Sequence, residues 1–297
     1  MDWKDDFMSA IGPTDPAAMN IKKALVLTQQ NLPKSLFRYR KLSDCELDNL
    51  IRDCIWLTSP IKYNDPFDSA VTFSPERISE ALHGDRDPIK TVIRHFSRLS
   101  PAIAAIDFDK LLAPLFDDMI QKFSEYLQSN MRVCSFSESW DSVVMWSHYA
   151  DQHKGFCIEY PISALTSDDV RRTLLRPVIY RSDLFDVTGY MLKGVGGAQF
   201  NNLFGELACL LKAQEWAYEK EWRLVIAGGD AIPERKYPMP TPSRIILGAR
   251  MCEADEAQLT DVARRRRIPL FRAEVSRRRF GLELSEVPQP AKAVTGK

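Results

Sequence analysis

Two carboxylates, Glu219 and Glu221, flank Lys220 at the start of an apolar run, Trp222-Arg223-Leu224-Val225-Ile226. Successive side chains on an extended segment alternate faces, so this spacing predicts both acids on one face, with Lys220 and Trp222 on the other. Carboxylates that enter an apolar run sit where burial and mutual repulsion push their proton affinities apart. That arrangement suits acid/base work or stabilisation of a developing cation. The competing reading is a solvated strand end in which Glu221 pairs with a neighbouring arginine.

Four further segments carry residue types that can hold a ligand. In Phe37-Arg38-Tyr39-Arg40, strand alternation puts Arg38 and Arg40 on one face, able to present a guanidinium to a phosphate or carboxylate, or simply to snorkel from an exposed edge. Asn64-Asp65-Pro66-Phe67-Asp68 has the composition of a rigid turn, with Asn64 free to face a ligand. Ser135 and Ser137 share one face of a strand and offer two hydroxyls, to a ligand or to solvent. Met145-Trp146-Ser147-His148-Tyr149 gathers an indole, an imidazole and a phenol, which suits a wall for a planar ring or an ordinary aromatic core.

The whole chain narrows the classes. Forty basic and forty acidic residues cancel over 297 positions, so no global field draws the protein to nucleic acid or to a membrane. Local positive charge is concentrated in Arg264–Arg267 and Arg277–Arg279, a patch for nucleic acid or an acidic partner, or a helix end favouring cations. Six cysteines without a CxxC pair, and a start lacking the layout of a signal peptide, lead us to expect reduced thiols in a cytoplasmic protein. No apolar run approaches the roughly 18 residues of a membrane-spanning helix. The four histidines lack metal-ligand spacing, so no metal is expected, and neither a GxSxG elbow nor a P-loop is present.

These segments require elements to position them. Residues 1–34 read as a loosely attached helical lead-in, and 35–285 as a single α+β domain interrupted by a helical insertion over 74–130. Residues 286–297 read as a disordered tail. Strands are predicted at 35–40, 54–58, 131–137, 155–160, 177–180, 221–227, 244–247, 269–275 and 280–284. Helices are predicted at 141–149, 199–214 and 253–266, with a further helix opened by the capping box Ser43-Asp44-Cys45-Glu46. The four glycines within 189–197 read as a hinge.

Taken in order, FRYRKLS, LTSPIKYNDPFD, VCSFSES, MWSHYADQHKGFCIEY, YEKEWRLV and IILGARM resemble the bacterial domain-of-unknown-function 2971 family, over about residues 35 to 275. More distantly, the order of elements resembles the ADP-ribosyltransferase superfamily, in particular its DNA-modifying toxin branch. That resemblance implies a split mixed or antiparallel sheet core and a mono-ADP-ribosyltransferase using NAD as co-substrate on a macromolecular acceptor, protein or nucleic acid. A role in a bacterial toxin or defence system would follow.

By the same resemblance Glu221 is the catalytic acid, with Glu219 completing an E-x-E spacing. Arg38, with Tyr39 and Arg40 beside it, lies on the first strand, where an arginine would hold the pyrophosphate. Ser135 or Ser137 is the central-strand residue, and Tyr149 or Trp146, near His148, would stack by the nicotinamide. Nucleic acid would be met through Arg264–Arg267. Two readings of other classes stand beside this one: a noncatalytic module that binds a nucleotide or a protein, and a nucleic-acid processing enzyme.

Overall fold

The computed structural model describes residues 2–74, 76–77, 80, 108–193, 201–228 and 234–288. Most of the predicted insertion before residue 108, the end of the glycine-rich stretch and the tail beyond 288 lie outside the described residues.

Two helices, α1 (Trp3–Ile11) and α2 (Ile21–Asn31), precede strand β1 (Leu36–Arg40). Helix α3 (Asp44–Ile51), strand β2 (Cys54–Leu57) and the two-residue β3 (Val71–Thr72) follow. Helix α4 (Phe108–Asn130) runs directly into β4 (Met131–Ser137), and α5 (Val143–Tyr149) leads to β5 (Phe156–Tyr160). Then come the short strands β6 (Leu175–Pro177), β7 (Ile179–Arg181), β8 (Phe185–Asp186) and β9 (Leu211–Ala213). The chain closes with β10 (Glu221–Ala227), β11 (Arg235–Pro238), β12 (Arg244–Leu247), α6 (Glu253–Arg266), β13 (Leu270–Val275) and β14 (Leu282–Glu286).

The fold is mixed α+β. An eight-stranded sheet runs β14-β13-β12-β5-β1-β4-β10-β6, antiparallel throughout except where β12 and β13, joined by α6, lie parallel. Between β1 and β4 the ladder is confined to Phe37 opposite Ser137. Four residues back along β4, Val133 takes Thr58 as its partner instead, with N–H···O bonds of 2.8 and 3.1 Å. The sheet therefore parts along the edge of β4.

Side-chain alternation explains what fills each face. On one face Leu36, Phe136, Ile158, Leu224 and Ile245 join the apolar cluster that includes Leu50 of α3 and Leu259 of α6. The opposite face carries two separate clusters. Phe37, Tyr39, Cys157 and Ile246 pack with Trp146 of α5, whereas Val133 and Val225 pack with Phe7 of α1 and with Leu207. Between these two clusters the same face presents Ser135 and Ser137 of β4 opposite Arg223 and Glu221 of β10. A polar gap is thus built into an otherwise apolar layer.

Several sequence expectations shift. The lead-in is firmly docked: Phe7, Ala10 and Ile11 are buried, and Trp3 stacks on Trp222 with ring centroids 6.0 Å apart. The helix expected over 199–214 is only five residues long in the described part (Phe204–Ala208), because Leu211–Ala213 leaves it to pair in parallel with β7. The strand expected at 177–180 is two strands, parted at Val178. The last strand lies two residues later than expected, and Val287 N–H donates to Leu270 O at 2.9 Å, so residues 286 and 287 stay with the sheet.

The turn from α5 into β5 places Asp151, Gln152 and His153 consecutively at positive φ (46°, 54° and 69°). It closes against Gly248, where a Cβ would stand 2.1 Å from His153 O and 2.7 Å from Gly155 O. Both neighbours are backbone and cannot swing away. Gly248→Ala should therefore cost about 3 kcal/mol, the upper part of the usual overpacking range. Urea titration at neutral pH would measure it, and a loss below about 0.5 kcal/mol would show that the turn yields.

Candidate active site

Five ionisable side chains meet in the polar gap. Arg223, fully buried at the centre of β10, spends all five of its donors within the protein. Its Nη1 and Nη2 clasp Asp68 Oδ1 and Oδ2 at 2.8 and 2.5 Å, and Nη1 also reaches Cys209 O at 2.6 Å. Its Nε and Nη2 hold the two Glu221 oxygens at 2.8 and 3.1 Å. Lys212 of β9 completes the cluster, with Nζ 3.0 Å from Glu221 Oε2, 4.0 Å from Asp68 Oδ2 and in close contact with Glu219 Oε2.

The two acids do not share one extended strand, as their spacing suggested. Glu219 ends a 3-10 helix (Gln214–Glu219), and Lys220 takes a left-handed conformation at φ 45° before β10 begins. This kink turns Glu219 back onto Lys212, so the carboxylates converge through a common cation instead of a common face.

Their proton affinities are driven in opposite directions. Burial opposes ionisation of Glu221, but the adjacent Arg223 and Lys212 cations outweigh it and hold its carboxyl down at about 2. For Glu219, burial and then the neighbouring Glu221 charge push the carboxyl up, against the pull of Lys212. Tyr149 donates its phenol to Glu219 Oε1 at 2.6 Å. Burial and the facing Glu219 in turn raise the affinity of Tyr149 for its proton. Two cations against three carboxyls leave one negative charge too many if all ionise, and Glu219 is the member best able to carry a proton.

This cluster forms one end of a cleft of about 690 Å³, within the roughly 300–1,000 Å³ typical of ligand pockets. Basic side chains line it too: Arg38, Arg40, Lys41 and Lys62, the last paired with Glu234 at 2.7 Å. Arg38 and Arg40 share Glu46 of α3, through a 3.3 Å bond from Arg38 Nη1 and a 2.8 Å bond from Arg40 Nε. Glu46 was expected to close a capping box; its carboxylate goes to the arginines, while Ser43 Oγ accepts from Glu46 N–H at 3.4 Å. Because Phe37 stands opposite Ser137, Arg38 falls on the other face of the sheet from Glu221, and the two border a common cleft where β1 and β4 part.

Of the residues singled out from the sequence, Arg38, Tyr39, Arg40, Asn64, Ser135, Ser137, His148, Tyr149, Glu219 and Glu221 all line this cleft. Trp146 does not. It is fully buried, edge-to-face with Tyr39 at 5.3 Å, and its indole N–H donates to Trp140 O at 2.7 Å. Ser137 is structural too, its Oγ donating to Glu219 O at 2.7 Å and accepting from Ser139 N–H at 3.1 Å. Tyr39 gives its hydroxyl to Ser139 O at 2.7 Å. Ser135 and His148 keep partly open surfaces, and His148 lies edge-on to Trp216 and Tyr218, 6.2 and 6.4 Å away.

Asp68, Lys212 and Arg223 were missed as site residues. Arg223 was legible, since it stands two residues beyond Glu221 on the same strand face. Asp68 sat within a segment read as a turn, and Lys212 within one read as a helix. The Arg264–Arg267 patch is largely committed elsewhere: Arg264 and Arg265 pair with Asp261, and Arg266 caps Leu50 O and pairs with Asp53.

Most of the acidic end of the cleft falls within a recognised segment. Residues 145–224 match the family described as a protein of unknown function, DUF2971. The DUF2971 segment holds Tyr149, Lys212, Glu219, Glu221 and Arg223, whereas Arg38, Asn64, Asp68 and Ser135 lie outside it. No curated protein and no solved structure matches the chain. Among the described residues no helix is long and apolar enough to cross a membrane, and no group of three or more His, Cys, Asp and Glu side chains is arranged to hold a metal ion.

Arg223→Met would strand Asp68 and Glu221 in a buried site, a loss of about 3–5 kcal/mol for a broken buried pair. Chemical denaturation at pH 7 tests this, with a cost under about 1 kcal/mol as the contrary result. The pH dependence has a defined sign. The folded-state affinity of Glu221 lies below its ordinary 4.5, so its stabilising contribution is complete above that pH and is lost as pH falls towards about 2. The stability gap between wild type and Glu221→Gln should narrow as pH drops from 5 to 3, measured by urea titration. A constant gap would contradict an ionised, clamped Glu221.

Proposed function

We propose that the cleft binds NAD and transfers its ADP-ribose to a macromolecular acceptor, as a mono-ADP-ribosyltransferase. The observation that supports this reading is the polarity of the cleft: guanidinium groups of Arg38 and Arg40 from one face of the sheet, and from the other a fixed anionic carboxylate beside one of raised proton affinity. A substrate with an anionic pyrophosphate and a cationic ring matches that polarity end to end.

In the reaction the C1′–N bond breaks, its electron pair leaves with nicotinamide, and the ribose passes through an oxocarbenium-like state. A fixed carboxylate facing the developing charge lowers the barrier. Glu221 supplies that charge, and the surrounding cations keep it ionised. The acceptor's nucleophile forms the new bond to C1′ and gives its proton to Glu219, whose raised affinity suits a base. Arg38 holds the pyrophosphate; its long bond to Glu46 leaves it far less committed than Arg223. Tyr149 orients Glu219 and borders the ring.

One observation favours a second reading. Glu221 already accepts bonds from Arg223 and Lys212 on both oxygens, a degree of saturation that suits a cleft which binds a nucleotide without turning it over.

Nicotinamide release from NAD by purified protein, with and without cell lysate, separates the two. The transferase reading expects release that Glu221→Gln abolishes, that Glu219→Gln lowers by about 10²-fold or more, and that Arg38→Ala weakens mainly through KM. Absence of release from the folded wild type in both conditions, with NAD binding retained, would establish the binding module instead.

A further inference from the structure

The acid end of the cleft is held by a segment that never enters it. Glu221 sits where the β6–β10 ladder has just ended, since that ladder pairs Trp222 with Pro177. Its backbone is instead held by the residues after β6. Val178 N–H donates to Glu221 O at 3.0 Å, and Glu221 N–H donates to the phenolic oxygen of Tyr180 at 2.8 Å. Tyr180 is also the residue opposite Lys212 in the parallel pair β7–β9. One short segment thus fixes both the anion and the cation that neutralises it.

That segment is gripped in turn by α1. Lys4 Nζ donates to Val178 O at 2.9 Å and lies over the Tyr180 ring, 5.6 Å from its centroid. Asp5 pairs with Arg181 at 2.5 Å, and Trp3 stacks on Trp222, the residue after Glu221. Contacts from the first turn of α1 therefore fall on Val178, Tyr180 and Trp222, each bonded or adjacent to Glu221, and on Arg181 beside Tyr180.

We propose that Tyr180, clamped from behind by Lys4 of α1, is a positioning residue that sets Glu221 against Lys212, so that the N-terminal helix is an integral part of the site. Its catalytic consequence rests on the transferase reading; its structural consequence does not. A hydroxyl accepting a main-chain N–H next to the reacting carboxylate fixes the direction of that carboxylate, and loss of one such bond, worth about 0.5–1.5 kcal/mol, lowers a rate up to about tenfold.

The test uses the full chain with Tyr180→Phe, which keeps the ring beneath Lys4, and Lys4→Met, which keeps its stem, alongside Lys122→Met on the surface of α4 as a control. Amide hydrogen exchange at Glu221 is expected to quicken up to about tenfold in both variants and not in the control. If NAD is turned over, kcat should fall by a similar factor with KM for NAD unchanged, and the acid limb of the pH profile should move. If wild type shows no turnover, the transferase reading fails while the exchange result still decides the brace. Unchanged exchange at Glu221 in folded Tyr180→Phe and Lys4→Met would overturn the proposal. If one variant fails to fold, exchange in the other decides between these outcomes.

Discussion

A guanidinium with no access to water is the constraint around which the rest is arranged. Arg223 lies fully buried on β10, between β4 and β6, and an unpaired charge there would be prohibitively costly, so every one of its donors needs an acceptor on site. Asp68 comes from the turn before β3, Cys209 O from the chain entering β9, and Glu221 from the same strand. Satisfying one side chain thus draws together segments separated by 155 residues of sequence. Lys212 then balances the second carboxylate, and Glu219 joins Lys212 as a third carboxyl in excess of the two cations.

The cluster exists because the apolar layer is interrupted. Val133 and Val225 belong to one cluster on that face, Phe37 and Tyr39 to another, and the strands between them switch to serine, glutamate and arginine. The same stretch of β4 is where β1 stops pairing with it. A sheet whose edge is unpaired beside a polar gap opens into a cleft, whereas the continuous ladder of β10 on β4 keeps the other wall rigid.

Much of this was legible from residue types. Strand alternation placed Ser135 and Ser137 together, and it also carried the information that Arg223 follows Glu221 onto one face. What alternation misjudged was Glu219, because the left-handed Lys220 breaks the extended run and no local signal announces it. Lys212 was hidden by a helical composition that the edge of β7 overrides by offering a strand partner. Trp146 shows the reverse error: an aromatic beside His148 and Tyr149 suggested a ring wall, yet helical geometry turns it inward beneath Tyr39 while its two neighbours face the cleft. The N-terminal lead-in read as loosely attached since periodicity reports an apolar stripe and not its destination, which for α1 includes the strand that carries Glu221.

Charge balance shows what a third acid adds to the site. Asp68 and Glu221 alone would cancel Arg223 and Lys212, leaving the end of the cleft neutral and with little pull on a cationic ring. Adding Glu219 supplies a charge that its own proton controls: protonated, the end stays neutral; ionised, it carries one negative charge. A cation arriving beside Tyr149 favours the ionised form, which is the form able to accept a proton from a nucleophile. On the proposed transferase reading, arrival of the substrate's positive end and readiness of the base are therefore the same electrostatic event, while Arg223 and Lys212 keep Glu221 ionised.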